Sequence, residues 1–499
     1  MVPTPPPPTA ALRRNIPHAI MISLPYQGHI NPFVSLALKL ASRGIAVTFV
    51  HLDHIHRRLS ESHGAAAAAD HDIFAEARQL SPELNIRYTT ISDGLPLEYD
   101  RDQNGHTYFK YLVEDFPEIV DKFVGKFIAD DVADSDSRFI HFLVADTVCS
   151  WPAAIAEKYN LVNVSFWTEP ALVFSLCYHS DIMRQKGHVP NDNTTEVEIN
   201  YLPGIKKISS RDIITILNDR EGILVDCLTI AFNNVRKADF ILLNTVEELE
   251  PETLTALSKY QLNYAIGPIN FSKGLPTAAV SKSIWSESDL CNHWLDSKSL
   301  GSVLYVSFGS VVQIPQHELD EIAYGLLLSG VDFLWVVRAG TASGDGDVLP
   351  EGYEEKIRDS DRGLMVPWCN QIRVLESPAV GGFLTHCGWN STVESMWCGV
   401  PMICRPVAND QPTNRKLVVD DWGVGVNLYD GGGSSPSVDR ERIADKIRRF
   451  MNSDKVRDAA SRVKETVRNA MAIEGSSERN FERRCASKDP ERKEKYGLS

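Results

Sequence analysis

His29 and Asp146 are the pair from which a reaction can first be read. His29 lies in the loop SLPYQGHINP (23–32) and Asp146 in FLVADTVCSWP (142–152), each at the end of a short apolar run. If those runs are strands of one parallel sheet, both side chains fall on the same edge and can meet. A carboxylate that fixes an imidazole's tautomer and stabilises the imidazolium makes it a general base near neutral pH. Such a base can take a proton from a hydroxyl while that oxygen attacks an electrophile. A plainer reading stands beside it: a loop histidine is commonly a surface residue, and an aspartate after a strand commonly caps a helix.

The second constellation is GGFLTHCGWNSTVESMWCG (381–399), which reads as a strand, a turn at Cys387–Gly388 and a helix start. Unpaired N–H groups and the dipole at a helix N-terminus make an anion site. Asn390 and Ser391 are capping types, and His386 can add a donor. The alternative is a simple capping box, Ser391-x-x-Glu394, in which the glutamate folds back on the backbone. Two D-x-D stretches, Asp134-Ser135-Asp136 and Asp345-Gly346-Asp347, have a pattern used to hold divalent ions. They lie in polar loop-like segments where solvated turns are the usual explanation, so no metal site is expected.

These residues need elements to place them. Residues 1–17, rich in proline, read as a disordered tail. From residue 18 the chain alternates β-branched runs with helical patterns, the mark of a parallel sheet with crossover helices. Strands are expected at 19–24, 45–52, 84–91 and 139–145. A helix is expected over 32–43, with Asn31 as N-cap, Pro32 at its first position and Gly44 as its stop. Residues 59–83 read as a loop or marginal helix. A second series begins near residue 300, with strands at 302–308, 333–338, 364–366, 381–385, 401–404 and 424–428. The Gly-, Pro- and Ser-rich stretch 267–292 between them reads as a linker. Two such α/β units leave a cleft, and open parallel sheets bind ligands beyond the carboxyl ends of their strands.

Composition narrows the partners. The 499 residues carry a formal net charge of −15, a field that repels nucleic acid and anionic membranes. An anionic ligand must then be held by local dipoles, and residues 368–411 hold only two arginines, Arg373 and Arg405. The nine cysteines show no C-x-x-C spacing, so reduced thiols are expected. The opening lacks a leader's apolar core, and no run reaches the ~18 apolar residues of a membrane span. A cytoplasmic protein is the expectation. The first βα loop, YQGHINP, lacks the G-x-G-x-x-G of a nicotinamide dehydrogenase.

Residues 368–411, WCNQIRVLESPAVGGFLTHCGWNSTVESMWCGVPMICRPVANDQ, resemble the 44-residue signature box of plant family 1 UDP-dependent glycosyltransferases. The resemblance runs on through YQGH, DGLP (93–96), FWT (166–168), NTVEELE (244–250), GP (267–268), WLD (294–296) and YVSFGS (305–310), covering 18 to about 482. It implies a GT-B α/β fold of two Rossmann-like domains: an acceptor domain at 18–266, a UDP-sugar domain at 293–470, and a last helix within 471–499 crossing back to the first. It implies inversion at the anomeric carbon without a metal and without a cofactor, the UDP-sugar being a co-substrate. By position, Trp368 stacks on the uracil and the Cys369 backbone bonds its edge, while Gln371 and Glu394 hold the ribose. His386, Asn390, Ser391 and Ser310 cradle the diphosphate. Trp389, Asp410 and Gln411 bind the sugar, with Thr168 reaching it from the other domain. His29 is the base and Asp146 its partner. Phe166, Trp167 and Phe174 are expected as acceptor walls. Gln411 points to glucose. Asn370, where the family usually has proline, is expected to loosen the turn before Gln371, and Ala408 and Asn409, in place of bulkier residues, to widen the sugar pocket. A monomer acting on a small lipophilic hydroxyl or carboxyl compound follows. An epimerase or a non-catalytic UDP-sugar binder on the same fold is the alternative.

Overall fold

The structure, a computed structural model, describes residues 16–62, 72–134, 139–190, 196–219, 222–272, 274–276, 290–310, 312–338, 342–343, 349–429 and 439–485. The first half builds a parallel sheet from β1 (Ile16–Ile22), β2 (Ala46–Leu52), β3 (Ile86–Ile91), β4 (Phe139–Asp146), β5 (Val162–Trp167), β6 (Phe240–Leu243) and β7 (Asn263–Ala265), in the order 3-2-1-4-5-6-7. The second builds another from β8 (Val303–Ser307), β9 (Asp332–Val336), β10 (Gly363–Val366), β11 (Val380–Thr385), β12 (Met402–Cys404) and β13 (Gly425–Asn427), in the order 3-2-1-4-5-6 of that half. Both are doubly wound sheets whose strands read as continuous apolar runs because helices cover both faces. β2 and β5 are buried at every position.

Two expectations at the start of the chain are corrected. Ile16 and Pro17, assigned to the tail, already belong to β1. Helix α1 spans Gln27–Ser42, so Asn31 is no cap and Pro32 lies inside it. The buried face Ile30, Phe33, Val34 and Leu36 to Leu38 holds the helix in register against the sheet, and that packing overrides the boundary signal of the proline. Proline lacks the N–H that would bond four residues back, which leaves the Gly28 carbonyl without its helical donor. The residues 59–83 divide between a helix at Asp53–Ser62 and another at Ala75–Leu80, with 63–71 outside the described residues. A helix also begins at Leu290, inside the stretch read as linker.

The chain ends by returning. After α2 (Gln371–Glu376), α3 (Trp389–Cys398), α4 (Gln411–Lys416) and α5 (Asp454–Ala470), helix α6 (Ser476–Cys485) packs on the first half. Lys39 of α1, though buried, donates to Glu478 at 2.8 Å and lies 4.4 Å from the Phe481 ring centre. The Ser477 hydroxyl donates to the Gly267 carbonyl at 2.6 Å, and Asn480 to that of Ala265 at 3.0 Å. Among the described residues no helix is long and apolar enough to cross a membrane.

The pair Gly381–Gly382 in β11 is a packing requirement. A Cβ at Gly381 would lie 2.1 Å from the Gly301 carbonyl oxygen, and one at Gly382 2.4 Å from the Phe450 ring. Gly381→Ala should therefore destabilise the fold by about 1–3 kcal/mol, read as a lower urea midpoint.

Candidate active site

The strand register sets the site. Ile22 of β1 lies opposite Ala145 of β4, so the loop that carries His29 and the end of β4 that carries Asp146 leave the sheet side by side. His29 sits in the first turn of α1, and its Nδ1 lies 2.7 Å from Asp146 Oδ2. Asp146 is 1 % exposed, and its other oxygen accepts the Val148 N–H at 3.1 Å. β5 pairs Phe166 with Asp146, which brings Thr168 next to them, its hydroxyl 3.3 Å from the same imidazole nitrogen. Burial works against charging His29, but the charge and hydrogen bond of Asp146, with Asp410 beyond it, outweigh burial and raise the pKa above 6.5.

In the second sheet Ser307 of β8 pairs with Thr385 of β11, which sets the Gly309–Ser310 loop against the His386–Gly388 turn. A Cβ at either Gly309 or Gly388 would come within 2.5 Å of His386 Nε2, and Gly309 holds φ at +77°. Only glycine permits that approach at both walls. Burial pulls the His386 pKa down to about 4, with the Ser307 carbonyl opposing and Arg338 adding to the drop, so the ring is neutral at pH 7.

Helix α3 starts at Trp389 with Gly388 as N-cap and no side-chain cap. The capping-box reading is thereby corrected. Ser391 is the third helical residue, and Glu394 turns to Gln371, whose amide donates to Glu394 at 2.7 Å and to Ser391 at 3.0 Å while its oxygen accepts from Tyr305 at 3.2 Å. Asn370 does not loosen this turn. It caps α2, its side-chain oxygen accepting the Arg373 N–H at 3.2 Å. Gln411 is fixed by its oxygen, which accepts from the N–H groups of Val407 at 2.9 Å and Ala408 at 3.0 Å, leaving its NH2 to bond elsewhere.

The two sets face one cleft of about 1690 Å³, lined by His29, Thr168, Ser310, Trp368, Cys369, Gln371, His386, Trp389, Asn390, Ser391, Glu394, Asp410 and Gln411. That exceeds the ~300–1,000 Å³ usual for a single small ligand, so two substrates fit. Hydrogen bonds cross it. The Trp389 indole donates to the Asn244 carbonyl at 2.8 Å, and the Asn390 amide donates to the Gly28 carbonyl at 3.0 Å. The latter is the acceptor that Pro32 left without a helical partner. The Trp389 indole and one N–H of Asn390 are thus engaged by the first half, and α3 offers an anion its backbone N–H groups, the second Asn390 N–H and the Ser391 hydroxyl.

Comparison with known proteins agrees with this geometry. Residues 269–433 match the family described as UDP-glucoronosyl and UDP-glucosyl transferase. The chain is 45 % identical over 476 residues to UDP-glycosyltransferase 86A1 of Arabidopsis thaliana, covering 93 % of each, and 34 % identical to linamarin synthase 1 of Manihot esculenta, covering 93 % of this chain and 95 % of that one. The crystal structure of UGT71G1 from Medicago truncatula complexed with UDP-glucose superposes with a TM-score of 0.74 at 25 % identity, over 95 % of this chain and 98 % of that one. The chain belongs to the plant family 1 UDP-glycosyltransferases. Its two sheets are the two Rossmann-like halves of a GT-B fold, and as an enzyme it transfers sugar from a UDP-sugar to a small acceptor.

The acceptor side of this UDP-glycosyltransferase departs from expectation. Phe166 and Phe174 are core residues, not walls: Phe166 is fully buried, 5.0 Å from Phe33 of α1, and Phe174 packs on Trp167 and Phe232. Phe166 lies in the body of a strand covered on both faces and Phe174 in a wholly buried helix, so both point into the core, while only the end of β5 reaches the cleft. Trp167 does line it, with its indole N–H given to the Pro170 carbonyl at 3.0 Å. The walls come from loops, which supply Tyr26, Val148 and Ile214, and from two helices, Gly105–Glu114 and Ile223–Val235, which supply Phe109 and Leu228. Arg338 was also missed. It lies two residues past β9, buried, donating to the carbonyls of Gly309 at 3.1 Å and Val312, and so brings a cation to the loop that carries Ser310. Its signal was its place past the end of a strand, matching that of Trp368 past β10. Glu169 is another: it lines the cleft, and burial, then Asp410 and Asp146, push its carboxyl well above the usual range. Asp410 itself is raised by burial to about 6, against the hydrogen bond from Asn414. Of the D-x-D stretches, Asp134 closes a helix, and the remaining residues lie outside the described residues.

Titration by NMR of the ring protons should find His29 above 6.5 and His386 near 4. Asp146→Asn should lower the first and leave the second. A His29 value that ignores this substitution would contradict the pairing.

Proposed function

We propose that the enzyme is an inverting glucosyltransferase that uses UDP-glucose, with His29 as general base, Asp146 as its orienting partner and no metal. The observation that carries this is the 2.7 Å contact from His29 Nδ1 to Asp146 on the cleft wall facing α3. With Nδ1–H given to the carboxylate, Nε2 keeps a lone pair for the acceptor. An unperturbed phenol titrates near 10 and an alcohol far higher, so attack at pH 7 needs such a base. The acceptor oxygen bonds to the sugar's C1 as the C1–O bond to UDP breaks on the opposite face, and the proton passes to His29. Negative charge growing on UDP meets the α3 N-terminus, neutral His386 and Ser310, donors placed in advance. Trp368 and Cys369 take the uracil, Gln371 and Glu394 the ribose, Asp410 and Gln411 the sugar. Thr168 reaches the sugar from the first half, where 18–266 form the acceptor domain and 293–470 the donor domain. The acceptor is a small lipophilic hydroxyl or carboxyl compound, and the enzyme works as a cytoplasmic monomer. A plain UDP-sugar binder has no use for a buried carboxylate aimed at an imidazole.

With UDP-glucose and a panel of phenols, alcohols and acids, wild-type enzyme should form glycosides detectable by mass. His29→Ala should lower kcat by about 10²–10⁴ while UDP still binds. The base must be unprotonated, and its pKa is raised, so kcat/KM should fall as pH drops through a value above 6.5, and Asp146→Asn should shift that limb to lower pH. Near-wild-type transfer by His29→Ala would refute the assignment. In donor competition, glucose should be preferred over galactose because of Gln411, and the reverse order would overturn that choice.

A further inference from the structure

We propose that Thr215 is a positioning residue that holds the sugar corner in shape and ties it to the acceptor wall. The inference rests on the reading that Asp410 and Gln411 hold the sugar. Thr215 belongs to the first half, in a segment of two short 3-10 turns, Ser210–Asp212 and Thr215–Asn218, that reaches across the cleft. Its N–H donates to the Asn409 carbonyl at 3.0 Å, and its hydroxyl accepts the Asn409 N–H at 2.7 Å. Both backbone groups of one residue are thus held by one threonine. Asn409 has φ of +57°, left-handed backbone that is uncommon outside glycine and that asparagine tolerates best, and Thr215 fixes it there from both sides. The next two residues are Asp410 and Gln411, so the direction in which both leave the chain follows from that φ.

The rest of the segment makes the clamp firm. The Thr413 hydroxyl donates to the Asp212 carbonyl at 2.6 Å, and the Asp212 carboxylate pairs with Arg415, both side chains about nine-tenths buried. On either side of Thr215, Ile214 and Ile216 line the cleft. One short stretch therefore touches the acceptor's space with two side chains and shapes the donor's sugar corner with the residue between them. An acceptor pressing on Ile214 and Ile216 bears on the same turn that orients Asp410 and Gln411.

The test compares binding of UDP and of UDP-glucose by calorimetry to the full chain, for wild type, Thr215→Val, Thr215→Ala and Thr215→Ser. In wild type the sugar contacts should make UDP-glucose bind more tightly than UDP. Thr215→Val and Thr215→Ala should weaken UDP-glucose about tenfold, one lost hydrogen bond plus relaxed backbone, and leave UDP unchanged. Thr215→Ser, which keeps the hydroxyl, should restore the difference. Equal weakening of both ligands would mean general damage and overturn the clamp, as would a sugar increment that survives in the valine and alanine variants. A wild type with no sugar increment would instead remove the sugar seat itself, on which the clamp depends.

Discussion

A parallel sheet releases its loops for chemistry at one edge, and this molecule is two such edges turned toward each other. Neither alone holds a complete site. The first supplies a base, through β1, β4 and β5, and the second an anion seat, through β8, β9 and β11. The hydrogen bonds from Trp389 to Asn244 and from Asn390 to Gly28 span the gap between them directly. Trp422 adds a bond to the Leu249 carbonyl at 3.2 Å, and Phe271 stacks on Trp397 with ring centres 4.4 Å apart.

The acidity of the chain shapes how the second edge works. With a formal charge of −15, the protein cannot hold a diphosphate through a general positive field. It uses orientation instead. Two glycines close on a histidine that burial keeps neutral, a helix begins without a side-chain cap, and one buried arginine braces the loop between them. Fixed dipoles of this kind need no rearrangement as charge develops. The first edge solves the opposite problem. There a carboxylate keeps the imidazole basic in spite of its burial.

The alternation of apolar runs carried the sheets, because strands buried on both faces leave an unbroken hydrophobic record in the sequence. The expected strands agreed with the observed limits to within a few residues, but β5, β6 and β7, short runs among other apolar segments, were not foreseen. The His29–Asp146 pair was legible for the same reason: each follows a strand, and the register does the rest. Side-chain partners were less so. Pro32 looked like a helix start because its local signal is strong, yet the packing of Phe33 and Leu36 carries the helix back to Gln27. Ser391 and Glu394 fit a capping box by spacing, but the turn at Gly388 starts the helix earlier and frees the glutamate for Gln371. Phe166 and Phe174 were misplaced because an aromatic near a site motif gives no sign of which face it takes. Arg338 and Thr215 lie far in sequence from the residues they serve, and pairings of that kind leave no trace in spacing.

Because the last helix sits on the first half, the order of the chain and the order of its parts in space differ. Lys39 and Gly267 belong to one body with Ser477 and Glu478, although the whole second sheet is encoded between them. Recombining two such enzymes at the linker would therefore part α6 from the surface it was shaped for. A hybrid that exchanges the second half keeps its native seam only if residues beyond Ala470 travel with the first, so the natural unit of exchange is an interior cassette with two crossovers.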